Sequence, residues 1–112
     1  MSSKGRVMDT VNPSSTLADF LGRYRAALVI LSGEARGLEY RLDQPRTALG
    51  RGPGVDLALD DAALRCRHAL VLFCDSGFEL RDFDGDAGGV QLKDGDCFRL
   101  GGHEFAFVLE ER

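Results

Sequence analysis

The groups in this 112-residue chain that could take part in chemistry are few: two histidines, three cysteines and a surplus of carboxylates. Cys66 and His68 stand two apart in Arg65-Cys66-Arg67-His68 and come nearest to a thiol–imidazole pair. Residues two apart on a strand point the same way without facing each other, so this spacing does not build a nucleophile and its base. Neither His68 nor His103 has a serine or cysteine arranged beside it in that manner. A structural zinc site needs four ligands, and Cys66-x-His68 is the only close pair, so no metal is expected. Asp60-Asp61 and Asp94-Gly95-Asp96 are paired carboxylates, but both lie among turn residues and read as solvated turn-formers. Gly50-Arg51-Gly52-Pro53-Gly54-Val55 begins like a dinucleotide-binding loop, yet Val55 stands where its last glycine belongs, and the strand-like Leu57-Ala58-Leu59 follows instead of a helix. No GxxxxGK phosphate loop occurs. The chain reads as a non-enzyme with no cofactor and no metal.

Composition narrows the setting. Fourteen Lys and Arg against 18 Asp and Glu give a formal net charge of -4, so no basic footprint points to nucleic acid. The longest apolar run, Ala26 to Leu31, is far short of the ~20 residues of a membrane span, and the first 15 residues lack a signal-peptide core. Cys66, Cys74 and Cys97 are odd in number with no CxxC spacing, which fits free thiols in a reducing cytoplasm better than a disulfide framework. Cys74 closes an apolar run and reads as a small buried hydrophobe. Cys66 lies between Arg65 and Arg67, a setting that favours thiolate, although an inert loop cysteine explains it as well.

The elements that must position these residues follow from periodicity. Residues 1–15 read as a flexible tail closed by Asn12-Pro13-Ser14-Ser15. Residues 16–25 form a short amphipathic helix: Thr16 can cap it, with Asp19 three residues on, and Leu17, Phe20, Leu21 and Tyr24 fall at helical spacing. So short a helix does not persist alone in water, so its apolar stripe must be covered, either by its own domain or by a partner. Beyond it the period becomes two. Ala26 to Leu31, Leu38 to Leu42, Leu57 to Leu59, Ala69 to Phe73, Phe78 to Arg81 and Phe105 to Leu109 read as strands, with Gly-, Asp- and Ser-rich turns between them. Many short strands without interleaved helices predict an all-β fold, an antiparallel β-sandwich over residues 26–110, with a barrel as runner-up.

In order and spacing, residues 26 to 110 resemble the forkhead-associated domain, a β-sandwich that recognises phosphothreonine. The resemblance rests on Gly50-Arg51 after Pro45-Arg46-Thr47; on Asp56-Leu57-Ala58-Leu59-Asp60-Asp61; and on His68-Ala69, where the family's Ser-Arg-x-His motif ends. It continues in Phe78-Glu79-Leu80-Arg81-Asp82 before a loop at Gly85 to Gly89, and in Leu92-Lys93-Asp94-Gly95-Asp96-Cys97-Phe98-Arg99-Leu100-Gly101. The resemblance implies that loops at one end of the sandwich hold a phosphorylated threonine. Arg51 would contact the phosphate, Gly88 would belong to the peptide-holding loop, and Gly50 and His68 would order the loops. It also exposes departures. Arg65 takes the place of the motif's serine, Cys66 that of its arginine, and Ala87 that of the later loop's asparagine.

These departures weigh on function. A serine hydroxyl bonded to a charged phosphate contributes about 1.5–3 kcal/mol, and the asparagine's bonds about 1 more. Asp84 and Asp86 add negative charge where a phosphate carrying nearly two charges would sit. Arg65 can either bind phosphate itself or pair with Asp86 and close the pocket. The sequence therefore predicts a non-catalytic, cytoplasmic protein–protein interaction module whose degenerate pocket works without phosphorylation. The alternative is genuine phosphothreonine reading, with Arg51 and Arg65 as the phosphate clamp. Either way the partner is a protein, with no nucleic acid or membrane, and the oligomeric state stays open.

Overall fold

Alternation of apolar and polar side chains sorts the strands into two sheets with their apolar faces together. A computed structural model describes residues 13–74, 77–85 and 89–112. Helix α1 (Pro13–Arg23) is followed by β1 (Tyr24–Ile30), β2 (Glu39–Arg41), β3 (Arg46–Gly50), β4 (Leu57–Ala58) and β5 (Ala69–Cys74). The chain continues through β6 (Gly77–Asp82), β7 (Val90–Gln91), β8 (Cys97–Leu100) and β9 (His103–Glu111). One sheet has the order β2-β1-β9-β8 and the other β4-β3-β5-β6-β7, so the fold is a sandwich and not a barrel. In the first sheet β1 and β9 are in register with Leu28 opposite Phe107 and Ile30 opposite Phe105, and all four side chains are buried. Leu49, Val71 and Phe78 meet them from the second sheet.

One pairing departs from the antiparallel pattern. β3 and β4 run parallel, with Leu49 beside Leu57 and Gly50 beside Ala58. Parallel neighbours usually need a long crossover, but here residues 51–56 suffice because Asp56 pins the returning chain. Its amide donates to the Ala48 carbonyl (2.9 Å) and its carboxylate accepts from the Ala48 amide (2.7 Å).

The helix begins at Pro13 rather than Thr16 and ends at Arg23, and β1 starts at Tyr24 rather than Ala26. Proline in a first turn costs nothing, because that N–H has no helical partner. Pairing of Tyr24 with Glu111 draws the strand's start forward. Leu17 and Phe20 are buried, and Phe20 packs edge-on against Phe73 (5.2 Å between centroids) and Phe78 (5.8 Å), while meeting Tyr24 at 4.9 Å. The apolar stripe is thus covered by the chain's own sandwich. Phe20 reaches a residue of one sheet and two of the other, so α1 closes one end of the sandwich. The opposite end is open and carries the loops 51–56, 59–68 and 83–85. Among the described residues no helix is long and apolar enough to cross a membrane.

Candidate functional site

β3 delivers Gly50 and Arg51 to the open end, where the 59–68 loop passes across them. The contact is so close that a Cβ on Gly50 would lie 2.2 Å from the Cys66 carbonyl oxygen, so no side chain fits there. Four backbone hydrogen bonds join the two segments: Arg51 N to Arg65 O (3.0 Å), Gly52 N to Cys66 O (3.1 Å), His68 N to Leu49 O (2.9 Å) and Leu59 N to Gly50 O (2.8 Å). Arg51 itself is exposed. Its guanidinium approaches the Cys66 sulfur at 3.9 Å, and among the described residues it forms no ion pair.

Arg65 is used differently. Its guanidinium pairs with Asp82 and with Asp84 (3.3 Å) at the end of β6 and donates to the His68 carbonyl (3.0 Å). The Arg65 amide donates to His68 Nδ1 (3.1 Å), so the imidazole accepts at that nitrogen and braces the loop from inside. Arg65 and His68 are therefore brought together. Arg51 sits beside them through the backbone, and the exposed Cys66 lies between. Asp86, Ala87 and Gly88 lie outside the described residues.

A second anchor holds the same loop. The Asp61 carboxylate accepts from the Gly102 amide (2.8 Å), the Ala63 amide (2.9 Å) and His103 Nδ1 (3.0 Å). The Gly102 amide above all, then the Ala63 amide and His103, hold its carboxyl below the usual aspartate range. Beside it the buried Leu64 packs against the β8–β9 turn at Gly101, whose φ of +59° and closeness to Leu64 (3.0 Å from an added Cβ) require glycine. Asp61 is thus a loop anchor rather than a solvated turn-former, and His103 is its partner. Their separation of 42 residues leaves no local signal of the contact.

Among the described residues no group of three or more His, Cys, Asp or Glu side chains is placed to hold a metal ion. The site offers instead an exposed guanidinium on a braced loop, with the nearby acids Asp82 and Asp84 already paired.

No family model matches the chain. It is 40% identical over 70 residues to the oxoglutarate dehydrogenase inhibitor of Corynebacterium efficiens, a match covering 62% of this chain and 49% of the relative. The chain thus spans about half the length of that curated relative. Among solved structures it resembles Mycobacterium tuberculosis EmbR in complex with a low-affinity phosphopeptide (TM-score 0.67, 27% identity, 77% of this chain and 24% of that one). It also resembles a domain solved in a study of phosphothreonine-dependent FHA domain interactions, where FHA stands for forkhead-associated (TM-score 0.64, 25% identity, 75% and 95%). In its sandwich and in the order of its landmarks, the chain is similar to forkhead-associated domains.

Proposed function

We propose that this domain reads phosphothreonine on a protein partner, without catalysis, using Arg51 as the principal cation for the phosphate. The observation that carries this reading is the division of labour between two arginines. Arg65 is engaged by Asp82 and Asp84, which leaves Arg51 exposed and without an ion pair among the described residues. An acid at Asp84 counts against phosphate only while its charge is unopposed, and here a guanidinium opposes it. Arg65 then acts as a brace and charge neutraliser rather than half of a clamp. Arg51 is presented by a segment joined to the 59–68 loop through four backbone bonds, so little freedom is lost on binding. The phosphopeptide bound in the EmbR structure and the phosphothreonine-dependent interactions of the second neighbour support the same ligand class. The curated relative's name, that of an inhibitor, fits a protein that acts by docking.

Calorimetric titration with phosphothreonine peptides and their unphosphorylated counterparts tests this. Binding is expected only with phosphate. Arg51→Ala is expected to weaken it by about 10- to 100-fold, as a charged hydrogen-bonded contact of about 1.5–3 kcal/mol requires, with the melting temperature unchanged. Equal binding of both peptides, or an unaltered affinity in Arg51→Ala, would overturn the reading in favour of phosphorylation-independent docking.

A further inference from the structure

We infer that Phe83 and the two arginines stacked on it, Arg46 and Arg67, form a second subsite that accepts a carboxylate side chain of the phosphopeptide beside the phosphothreonine. This inference rests on the phosphothreonine reading above and specifies the acidic class of peptide it takes.

Three elements meet here. β3 supplies Arg46, the 59–68 loop supplies Arg67, and the chain just past β6 supplies Phe83, whose amide donates to the His68 carbonyl (3.1 Å). The Arg46 guanidinium lies 5.7 Å from the Phe83 ring centroid and that of Arg67 lies 5.9 Å from it. Both arginines are exposed. Arg25, Arg65, Arg81 and Arg99 each hold a carboxylate, but Arg46 and Arg67 form no ion pair among the described residues. An aromatic face orients a guanidinium without neutralising it, and the N–H edge stays free to donate in its planar fork.

The segment Asp82-Phe83-Asp84 therefore treats its arginines in two ways. Its acids quench Arg65, while its ring fixes two further cations and leaves their charge in place. Two oriented, uncompensated guanidiniums on one ring suit an anion, and their fork geometry matches a carboxylate. Arg67 also reaches the loop that carries Arg51, with its terminal nitrogen 3.7 Å from where a Cβ of Gly54 would be. An extended peptide whose phosphate sits at Arg51 would thus pass the ring within a few residues.

The test uses two phosphothreonine peptides that differ only in having glutamate or glutamine at the positions flanking the phosphothreonine. The glutamate peptide is expected to bind about fivefold more tightly, the size of one or two exposed charge pairs. The preference should fall below about twofold in Arg46→Gln/Arg67→Gln. It should also fall in the unaltered protein at ~1 M salt, where the Debye length is about 3 Å. The glutamine peptide should keep its affinity within about twofold in the double variant. Phosphate-dependent binding with no glutamate preference overturns this inference alone, as does a preference that survives both the double variant and high salt. Absence of phosphate-dependent binding to either peptide overturns it together with the reading on which it rests.

Discussion

The two ends of the sandwich are held by different forces. At the closed end, Phe20 lies among Phe73, Phe78 and Tyr24, and what holds it there is apolar burial and ring contact. At the open end the loops are joined by backbone amides, by the Asp61 and His68 hydrogen bonds, and by Arg65 between two aspartates. Burial is strong and non-directional, so it fixes the fold but specifies no ligand. Hydrogen bonds and ion pairs are weaker but directional, and among the described residues they quench Arg65 while leaving Arg51 without an ion pair. The phosphothreonine reading proposed above would put selectivity at the open end, with burial at the other end holding the fold.

The sharpest way to break this contrast is to open the closed end. Phe20→Ala removes the ring that reaches both sheets, and loss of a buried phenyl group costs about 3–5 kcal/mol. In a domain of this size that lowers the melting temperature by more than about 10 °C. Phosphopeptide affinity, measured where the variant is still folded, should stay within about twofold. A large loss of affinity with an unchanged melting temperature would reverse the roles assigned to the two ends.

Within the open end, the roles of Arg51 and Arg65 can be separated. Arg65→Ala leaves the backbone joins intact but frees Asp82 and Asp84, so phosphopeptide affinity should fall by about fivefold through repulsion moderated by solvent. Adding Asp82→Asn and Asp84→Asn to that variant removes the freed charge and should restore most of the affinity. If the triple variant binds no better than Arg65→Ala, Arg65 touches the phosphate itself and the two arginines act as a clamp. Calorimetry on the three proteins decides between them.

The sequence made legible what rests on periodicity and on local chemistry. Leu17 and Phe20 announce a helix face by spacing alone, and Phe105 and Phe107 announce the inner face of β9; all four are buried. Gly50 and His68 were singled out by family landmarks, because each occupies a fixed place in a local motif, and both make close contacts with the 59–68 loop. What did not show was contact between distant segments. Arg65 was expected to pair either with phosphate or with Asp86, which lies outside the described residues; the partners seen are Asp82, opposite the start of β5, and Asp84 just beyond it. Asp61 read as a turn residue because only Ala63, the local one of its three partners, lies nearby in sequence, while Gly102 and His103 come from the β8–β9 turn, across the sandwich. The parallel turn of β3 onto β4 was hidden for the same reason: the six residues between them resemble any glycine-rich hairpin loop until Asp56 is seen to bond back to Ala48.

The smallest effect concerns pH, and it separates the two ends most cleanly. The Asp61 carboxyl titrates below the ordinary aspartate value because the folded state donates two amides and His103 to its charged form. A carboxyl of this kind contributes stability that is fully present above the unfolded value, about 3.9, and is lost as pH falls through the lower, folded value. The Phe20 ring contacts at the closed end have no proton to gain. Hydrogen exchange at the Gly102 and Ala63 amides, corrected for the intrinsic pH dependence, should therefore show protection that weakens below about pH 4. The Arg112 amide, which donates to Arg23 beside the closed end, should keep its protection over the same range. In Asp61→Asn the acid-dependent change at Gly102 should disappear, because the amide side chain does not titrate in this window. Unchanged Gly102 protection down to pH 3 in the unaltered protein would show that the Asp61 charge does not hold the loop, leaving Leu64 against Gly101 as its anchor on that side.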